Sequence, residues 1–390
     1  MTATGTIRLT APAQVVYGRP CADVIGEEAA RRDARRVFLL TTASIGRKTR
    51  EIDRIRARLG QRFAAAYDAV PAHAPTDATL EAAALARRVG VDLLVTVGGS
   101  SVTDAGKLLS LCLEHDLTAP DQLEPYRFSL DERGRMVVPQ FAAPRLGVIA
   151  VPTTLSGSEF TAIAGAKNRS KGIKEGYKHP ALAPQMVILD PAITVHTPAW
   201  LWLSSGVRAL DHALETLGSL QSNDFCDGIA ESALRLLFEG LALVKRDPAD
   251  SNARLKCQFG MWHSLLPGAA GVPMGVSHAI GHVLGGLLEV PHGYTSCVIA
   301  PAALRFNESC NGNKQQRIAA AIGHPRERAA DLIGSFVRQL GLPSTLREVG
   351  VDRSRFDSIA RECMDEPWIY TNARPIEGPE QIVEILDMAA

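Results

Sequence analysis

The sequence has no apolar run approaching the roughly 20 residues needed to span a bilayer, so no membrane helix is expected. Nor does it carry an excess of charge: Lys+Arg and Asp+Glu both number 42 in 390 residues. A balanced chain has no field to draw nucleic acid or an anionic membrane to it. Its seven cysteines are odd in number and scattered, with no C-x-x-C pair. That argues against a structural zinc knot and predicts free thiols in a reducing cytoplasm. The opening stretch, MTATGTIRLTAPAQVVYG, lacks the basic, apolar and small-residue regions of a signal peptide. Internal repeats and low-complexity segments are also missing.

What is present is a globular composition, 46% hydrophobic and 22% charged, in a chain of 390 residues. That length is too great for one core and predicts two domains. The first half alternates short β-rich apolar runs (36–42, 63–70, 92–99, 146–154, 186–191) with helical patterns such as 50–63 and 77–90. Alternation of this kind predicts a parallel sheet covered by helices. From about Pro198 the strand-like runs largely stop, and 199–220, 224–246, 251–266, 274–288 and 315–341 carry helical periodicity. The expected division is an α/β domain over residues 1–195 and an all-helical domain over 196–390, punctuated by Pro191 and Pro198. The polar, proline-bearing segment 113–145 reads as a hairpin or a surface loop, or simply as a tolerated extension.

Two loops follow apolar strands. In LLVTVGGSSVTDAGKLL (93–109) a strand runs into Gly98, Gly99, Ser100 and Ser101, and a helix follows with Asp104 and Lys107 on its first turns. Glycines let a phosphate approach the backbone, and a helix N-terminus offers free N–H groups. A tight β–α turn capped by Ser101 is the plainer alternative. The pattern is not the G-x-G-x-x-G fingerprint. In VPTTLSGSEFT (151–161), Thr153, Thr154, Ser156 and Ser158 crowd hydroxyls around Gly157, which suits a polar ligand.

The second half carries GVRALDHALE (206–215) and GVSHAIGHVLGGLLEVPHGYTS (275–296). His278 and His282 share a helix face, and Pro291-His292-Gly293 reads as a turn. With His212, three or four imidazoles can converge, a plausible divalent metal site when completed by a carboxylate. Any one of these histidines taken alone is more simply a partnered structural residue. The remaining histidines show no such grouping.

Together these blocks resemble the iron-containing alcohol dehydrogenase superfamily, whose fold is similar to that of dehydroquinate synthase. GGSSVTDAGK looks like its nucleotide loop, PTTLSGSEFT its Pro-Thr-Thr signature, and GVRALDHALE, HAIGHVLGGLLEVPHGYTSCVIAP and TNARP (371–375) its later blocks. The resemblance implies an NAD(P)-dependent oxidoreductase with a dinucleotide-binding α/β domain and a helical catalytic domain, commonly dimeric. It also implies that Gly98, Gly99, Ser100 and Ser101 hold the cofactor pyrophosphate. Thr153, Thr154 and Ser158 would line the nicotinamide and ribose region, with Asp104 and Lys107 nearby. His212, His278 and His292 match its metal-binding histidines, and His282 the one near nicotinamide and substrate.

Two departures stand out. The family's first metal ligand is an Asp four residues before the first histidine, and here that position is Arg208. A guanidinium stays charged and repels a divalent ion. Asp211, next to His212, points about 100° away around the helix and is a poor substitute. The maleylacetate reductases form a branch in which the Asp is replaced and no metal is used, and residues 146–161 look like that branch. Its residue at this position is typically Asn, however, and segment 113–145 is longer than that branch usually carries. The second departure is Thr42, where NAD-selective members carry an acidic residue. Without that carboxylate, both NADH and NADPH are expected to serve, and Ser44, Arg47 and Lys48 can favour NADPH.

The expected protein is thus a metal-independent NAD(P)H-dependent reductase of a small carboxylated unsaturated or oxo compound. Arg208 would supply positive charge, and His282, His278 or His292 the proton. The alternative within the fold is a metal-dependent alcohol or aldehyde oxidoreductase with iron or zinc on His212, His278 and His292. Sugar-phosphate cyclases or lyases of the related fold need more basic residues than lie beside the histidine blocks, and a non-catalytic ligand binder is the remaining reading.

Overall fold

The computed structural model describes residue 7, residues 12–131 and residues 136–390. The chain falls into two compact units, one of Thr10–Thr197 and the other containing Pro198–Ala390.

In the first unit the strands are β1 (Gln14–Tyr17), β2 (Val37–Thr41), β3 (Phe63–Tyr67), β4 (Leu93–Gly98), β5 (Ser129–Leu130), β6 (Met136–Val137), β7 (Val148–Pro152), β8 (Ile163–Asn168), β9 (Ile173–Lys178) and β10 (Met186–Leu189). Its helices are α1 (Cys21–Arg31), α2 (Ala43–Lys48), α3 (Glu51–Leu59), α4 (Thr76–Val89) and α5 (Ser100–Glu114). Six strands make one sheet in the order β1-β10-β7-β4-β2-β3, and every pairing in it is parallel. Parallel strands are covered on both faces, which is why VFLLT and LLVTVG read as unbroken apolar runs. Phe38, Leu40 and Leu94 pack on one face with α4 and α5 residues such as Ala83 and Leu108. Val37, Leu39, Leu93 and Val95 pack on the other with Ile25 and Ile55.

The winding positions a site. From β2 the chain steps to β3 at one edge, then crosses back and continues through β4, β7 and β10 in the other direction. The reversal falls between β2 and β4, and in open sheets of this kind the ligand crevice lies beyond the carboxyl ends of the strands at that switch point. Register aligns Thr41 with Val97 and Gly98 with Pro152, so the loops after β2, β4 and β7 stand side by side.

Two features have little signal in the sequence. β1 is only four residues, and the antiparallel β8–β9 hairpin is studded with Lys167, Lys174 and Lys178. The expected 113–145 excursion holds a 3₁₀ turn (Pro120–Tyr126) and the short β5–β6 pair; residues 132–135 lie outside the described residues. It is pinned to β9, where the Phe128 N–H donates to the Gly176 carbonyl at 3.0 Å.

The second unit is helical among its described residues: α6 (Ala199–Gly218), α7 (Asp224–Arg246), α8 (Ser251–Ala269), α9 (Val276–Leu287), α10 (His292–Ala321), α11 (Ala329–Leu340), α12 (Phe356–Cys363) and α13 (Pro379–Met388). Ile280, Leu284, Phe306, Ile359 and Leu386 centre its core. The single helical run expected over 315–341 is broken between α10 and α11, where Gly323 takes a φ of 88° just before Pro325. His292 is not on a turn: Pro291 serves as N-cap with φ −54°, and His292 is the first residue of α10. Proline at a helix start loses no hydrogen bond, so the Pro that suggested a turn begins a helix instead. Among the described residues no helix is long and apolar enough to cross a membrane.

Candidate active site

The first unit supplies a nucleotide-type cradle. α5 starts immediately after Gly99, with no side chain capping it, so its first N–H groups and dipole face outward to an anion. The glycines are needed by close packing: a Cβ on Gly98 would lie 2.6 Å from Val102 Cγ2, and one on Gly99 3.0 Å from Thr154 Cγ2. Ser101 Oγ accepts from the His73 N–H at 2.9 Å, which ties the loop from the side. Thr154 Oγ1 lies 3.1 Å from Ser156 Oγ, and the buried Thr153 accepts at its carbonyl from Thr197 Oγ1 at 2.6 Å.

Lys107 and Asp104 lie behind the cradle. Lys107 is wholly buried (0% exposed). Its ammonium donates to the Ser158 carbonyl at 2.6 Å, Ser158 Oγ at 2.9 Å, Thr161 Oγ1 at 3.2 Å and the Ile163 carbonyl at 2.8 Å. The Ser158 hydroxyl donates in turn to Asp104. These three residues therefore lock the second loop onto α5 and shape the cradle from behind. Burial pushes the Lys107 ammonium down to about 8, against the pull of Asp104 and Glu159, and raises the neighbouring buried Glu159 to about 7.

At the end of β2, Thr42 caps α2 by accepting from the Ile45 N–H at 3.4 Å. Arg47 is engaged bidentately by Asp68 at 2.8 and 2.9 Å, so its charge is already paired. An uncapped helix start, glycines that a Cβ would block and a hydroxyl-rich neighbour fit a dinucleotide.

The second unit holds the histidines. Arg208, Asp211, His212 and Glu215 fall at i, i+3, i+4 and i+7 on α6, one helical face. Arg208 is only 12% exposed; its guanidinium donates to Ser296 Oγ at 3.0 Å and stands 4.0 Å from Asp211 Oδ2. The His212 and His278 rings lie against each other, with centroids 4.7 Å apart and planes tilted by 30°. His282 lies 6.3 Å from His292 and 4.5 Å from the Trp368 ring, and its Nδ1 is 3.4 Å from Glu366. The expected residues of this unit, Arg208, His212, His278, His282 and His292, thus come together in space.

The residues behind them are ones the sequence reading left unassigned. His278 Nδ1 is 2.7 Å from Glu215 Oε2 and 3.6 Å from Asp211 Oδ2. Glu215 also accepts from the N–H groups of Gly275 at 2.8 Å and Ser277 at 2.7 Å. Asp211 accepts from the hydroxyls of Ser277 at 2.8 Å and Ser296 at 2.7 Å. The i, i+3, i+4, i+7 spacing was visible, but which face it made depended on α9 and α10 packing against it. Burial, then the Glu215 charge, raises Asp211 to about 7, with Arg208 opposing. Burial raises Glu215 to about 6, with the N–H groups of Gly275 and Ser277 opposing. Burial first, then His278 and Arg208, holds His212 well below the ordinary imidazole range.

This donor set departs from an ordinary divalent site at one position. The position one turn before His212 carries the buried Arg208 cation rather than an anionic ligand. Asp211, Glu215 and His278 do bring one ligand atom each within 4.8 Å of one another. Glu215 and His278 are already bonded to each other, however, and Asp211 Oδ2 is filled by two hydroxyls.

Comparison with known proteins identifies the family. The family model for iron-containing alcohol dehydrogenase matches residues 12–191, and that for the C-terminal part of the Fe-containing alcohol dehydrogenase family matches residues 202–390. The chain is 30% identical to a maleylacetate reductase of Rhizobium sp. (strain MTP-10005), over 94% of this chain and 93% of that protein. It is 29% identical to the dehydrogenase FUM7 of Gibberella moniliformis, over 96% of each. The crystal structure of maleylacetate reductase from Agrobacterium tumefaciens superposes with a TM-score of 0.83 at 28% identity, covering 100% of this chain and 98% of that one.

Proposed function

The chain belongs to the iron-containing alcohol dehydrogenase family and is an oxidoreductase, and we propose that it is an NAD(P)H-dependent, metal-independent reductase of a carboxylated unsaturated or oxo compound. The observation that carries this reading is the buried Arg208 among His212, His278 and Ser296. The maleylacetate reductases among its relatives, which match nearly the whole chain, support the choice of substrate class.

When bound, the nicotinamide supplies the hydride. The chain's own part is to grip and neutralise. Gly98, Gly99, Ser100 and Ser101 would hold the pyrophosphate on the α5 N-terminus, and Thr153 and Thr154 would line the pocket next to it. Asp104, Lys107 and Ser158 would keep that loop in place. Arg208, with Ser296 fixing one of its amino groups, would bind the substrate carboxylate or stabilise an enolate or alkoxide. A cation in a buried site does this more strongly than one in water. His282, partly exposed beside Glu366, has the solvent contact that a proton donor needs.

The test is an NADH and NADPH oxidation screen with maleylacetate, other oxo acids and simple aldehydes, run with metal analysis and before and after chelation. Oxo-acid turnover that survives chelation is expected. Turnover of aldehydes alone, lost on chelation, would replace this reading with the metal-dependent one at His212, His278 and His292.

A further inference from the structure

Within the second unit, a cavity of about 410 Å³ lies against the two carboxylates of α6. The C-terminal half of α6, the start of α9, the middle of α10 and residues 371–373 line it. No Lys, Arg or His is among its lining residues, whereas Asp211, Glu215, Asn307 and Asn372 are. Hydride transfer to an oxo acid makes no use of this space.

Its walls are rich in acceptors. Asp211 is 0% exposed, and its Oδ2 takes the hydroxyls of Ser277 and Ser296. Its Oδ1 is buried and has no hydrogen-bond partner, a costly arrangement for a carboxylate oxygen away from water. Asp211 and Glu215 bring carboxylate oxygens within 4.8 Å of one another. Glu215 Oε1 and Asn372 Oδ1 border one small space beside Gly275, where a Cβ would lie 3.1 Å from the first and 3.0 Å from the second. The amide donors of the lining are engaged elsewhere. Asn311 Nδ2 donates to the Gly218 carbonyl at 2.8 Å. Asn307 Nδ2 donates to Asn372 Oδ1 at 3.0 Å, and Asn372 Nδ2 to Asn307 Oδ1 at 2.8 Å. α6 also ends at this cavity, at Gly218, with no basic residue in its last turn. The negative end of its dipole therefore adds to the field of the carboxylates.

Charge decides what kind of ligand fits. Ionised, Asp211 and Glu215 carry two negative charges, and Arg208, 4.0 Å from Asp211 Oδ2, offsets one. A monovalent cation matches the charge left over. A divalent one would put an excess of positive charge beside the guanidinium, where little water screens it.

We propose that this cavity binds a monovalent cation, Na⁺ or K⁺, held by Asp211, Glu215 and the amide oxygen of Asn372. Ligands that are all oxygen suit such a hard ion. Its effect on catalysis rests on the reductase reading: with the carboxylates neutralised, more of the Arg208 charge is left for a substrate anion.

Binding is tested by thermal unfolding of the full chain, without substrate or cofactor, in NaCl, KCl and choline chloride at equal ionic strength. Choline, whose methyl groups keep its charge away from the oxygens, is the reference. A ligand that binds only the folded state stabilises it by mass action, so Tm should be about 2–4 °C higher in Na⁺ or K⁺ than in choline. Asp211→Asn removes one charge. Ala303→Leu fills the cavity from a buried lining position without touching a carboxylate. Both variants should lose the difference. Equal wild-type Tm values in the three salts overturn the proposal, as does a difference that either folded variant keeps. A protein that responds to the cation yet oxidises no NAD(P)H with any oxo acid keeps this site and loses the reductase reading.

Discussion

Arg208 and Asp211 reach the same hydroxyl from one face of α6: Arg208 donates to Ser296 Oγ at 3.0 Å, and Ser296 donates to Asp211 Oδ2 at 2.7 Å. The arginine is thus held at one end while the rest of its guanidinium stays available. Replacing Arg208 by Met should lower kcat/KM for a carboxylated substrate by about 30- to 4,000-fold, the equivalent of truncating one partner of a buried charge pair at roughly 2–5 kcal/mol. Uncharged aldehydes should lose far less. Steady-state kinetics on both substrate types decides it, and equal losses would remove Arg208 from substrate binding.

Gly281 leaves the room that Arg208 fills. A Cβ there would stand 2.9 Å from Thr295 Oγ1 and 3.2 Å from Arg208 Nη1. Gly281→Ala should cost about 1–3 kcal/mol of stability, as overpacking does, and raise KM more than it lowers kcat. Denaturant unfolding and kinetics on the same preparation measure both.

The buried Glu159 sets a pH dependence of stability. Burial raises it from 4.5 to about 7, so the folded protein binds more protons than the unfolded chain across that interval. Its contribution is fully present below about 4.5 and is lost as pH rises through about 7. Glu159→Gln should flatten that stretch of the stability curve, by a few kcal/mol at most given a shift of this size. An unchanged slope between these limits would mean that another group carries it.

Cofactor choice should turn on Asp68. It holds Arg47 bidentately at 2.8 and 2.9 Å, beside the carboxyl end of β2, where no acidic residue replaces Thr42. Asp68→Ala would release Arg47 for a 2′-phosphate and raise the NADPH-to-NADH ratio of kcat/KM. The expected gain is about 1.4- to fivefold, since exposed pairs are worth roughly 0.2–1 kcal/mol. No change in the ratio would place the ribose away from Arg47.

What could be read from the chain alone followed local chemistry. VFLLT and LLVTVG announced buried parallel strands because a strand covered on both faces has no polar side to show. The spacing of Arg208, Asp211, His212 and Glu215 in GVRALDHALE is that of one side of a helix. The rest depended on contacts distant in sequence. Glu215 acquires its meaning from Gly275, Ser277 and His278, some 60 residues later. Lys107 could be placed beside a ligand by its motif, but only β8 and the loop before it reveal that its ammonium is fully occupied. The β8–β9 hairpin was invisible because lysines and glycines fill most of its outward positions and its inward ones include Asn168 and Glu175, and His292 was misread because proline signals both a turn and a helix start.

The switch point between β2 and β4 separates two kinds of reading head. On the β4 side the proposed grip would come from backbone N–H groups and from glycines that tolerate no side chain, so mutation there has almost nowhere to go. On the β2 side the proposed reading would rely on Thr42, Ser44 and, once freed from Asp68, Arg47. If the proposed reading holds, preference for one nicotinamide cofactor over the other would drift through single substitutions along one rim, while the hold on the diphosphate would stay as it is.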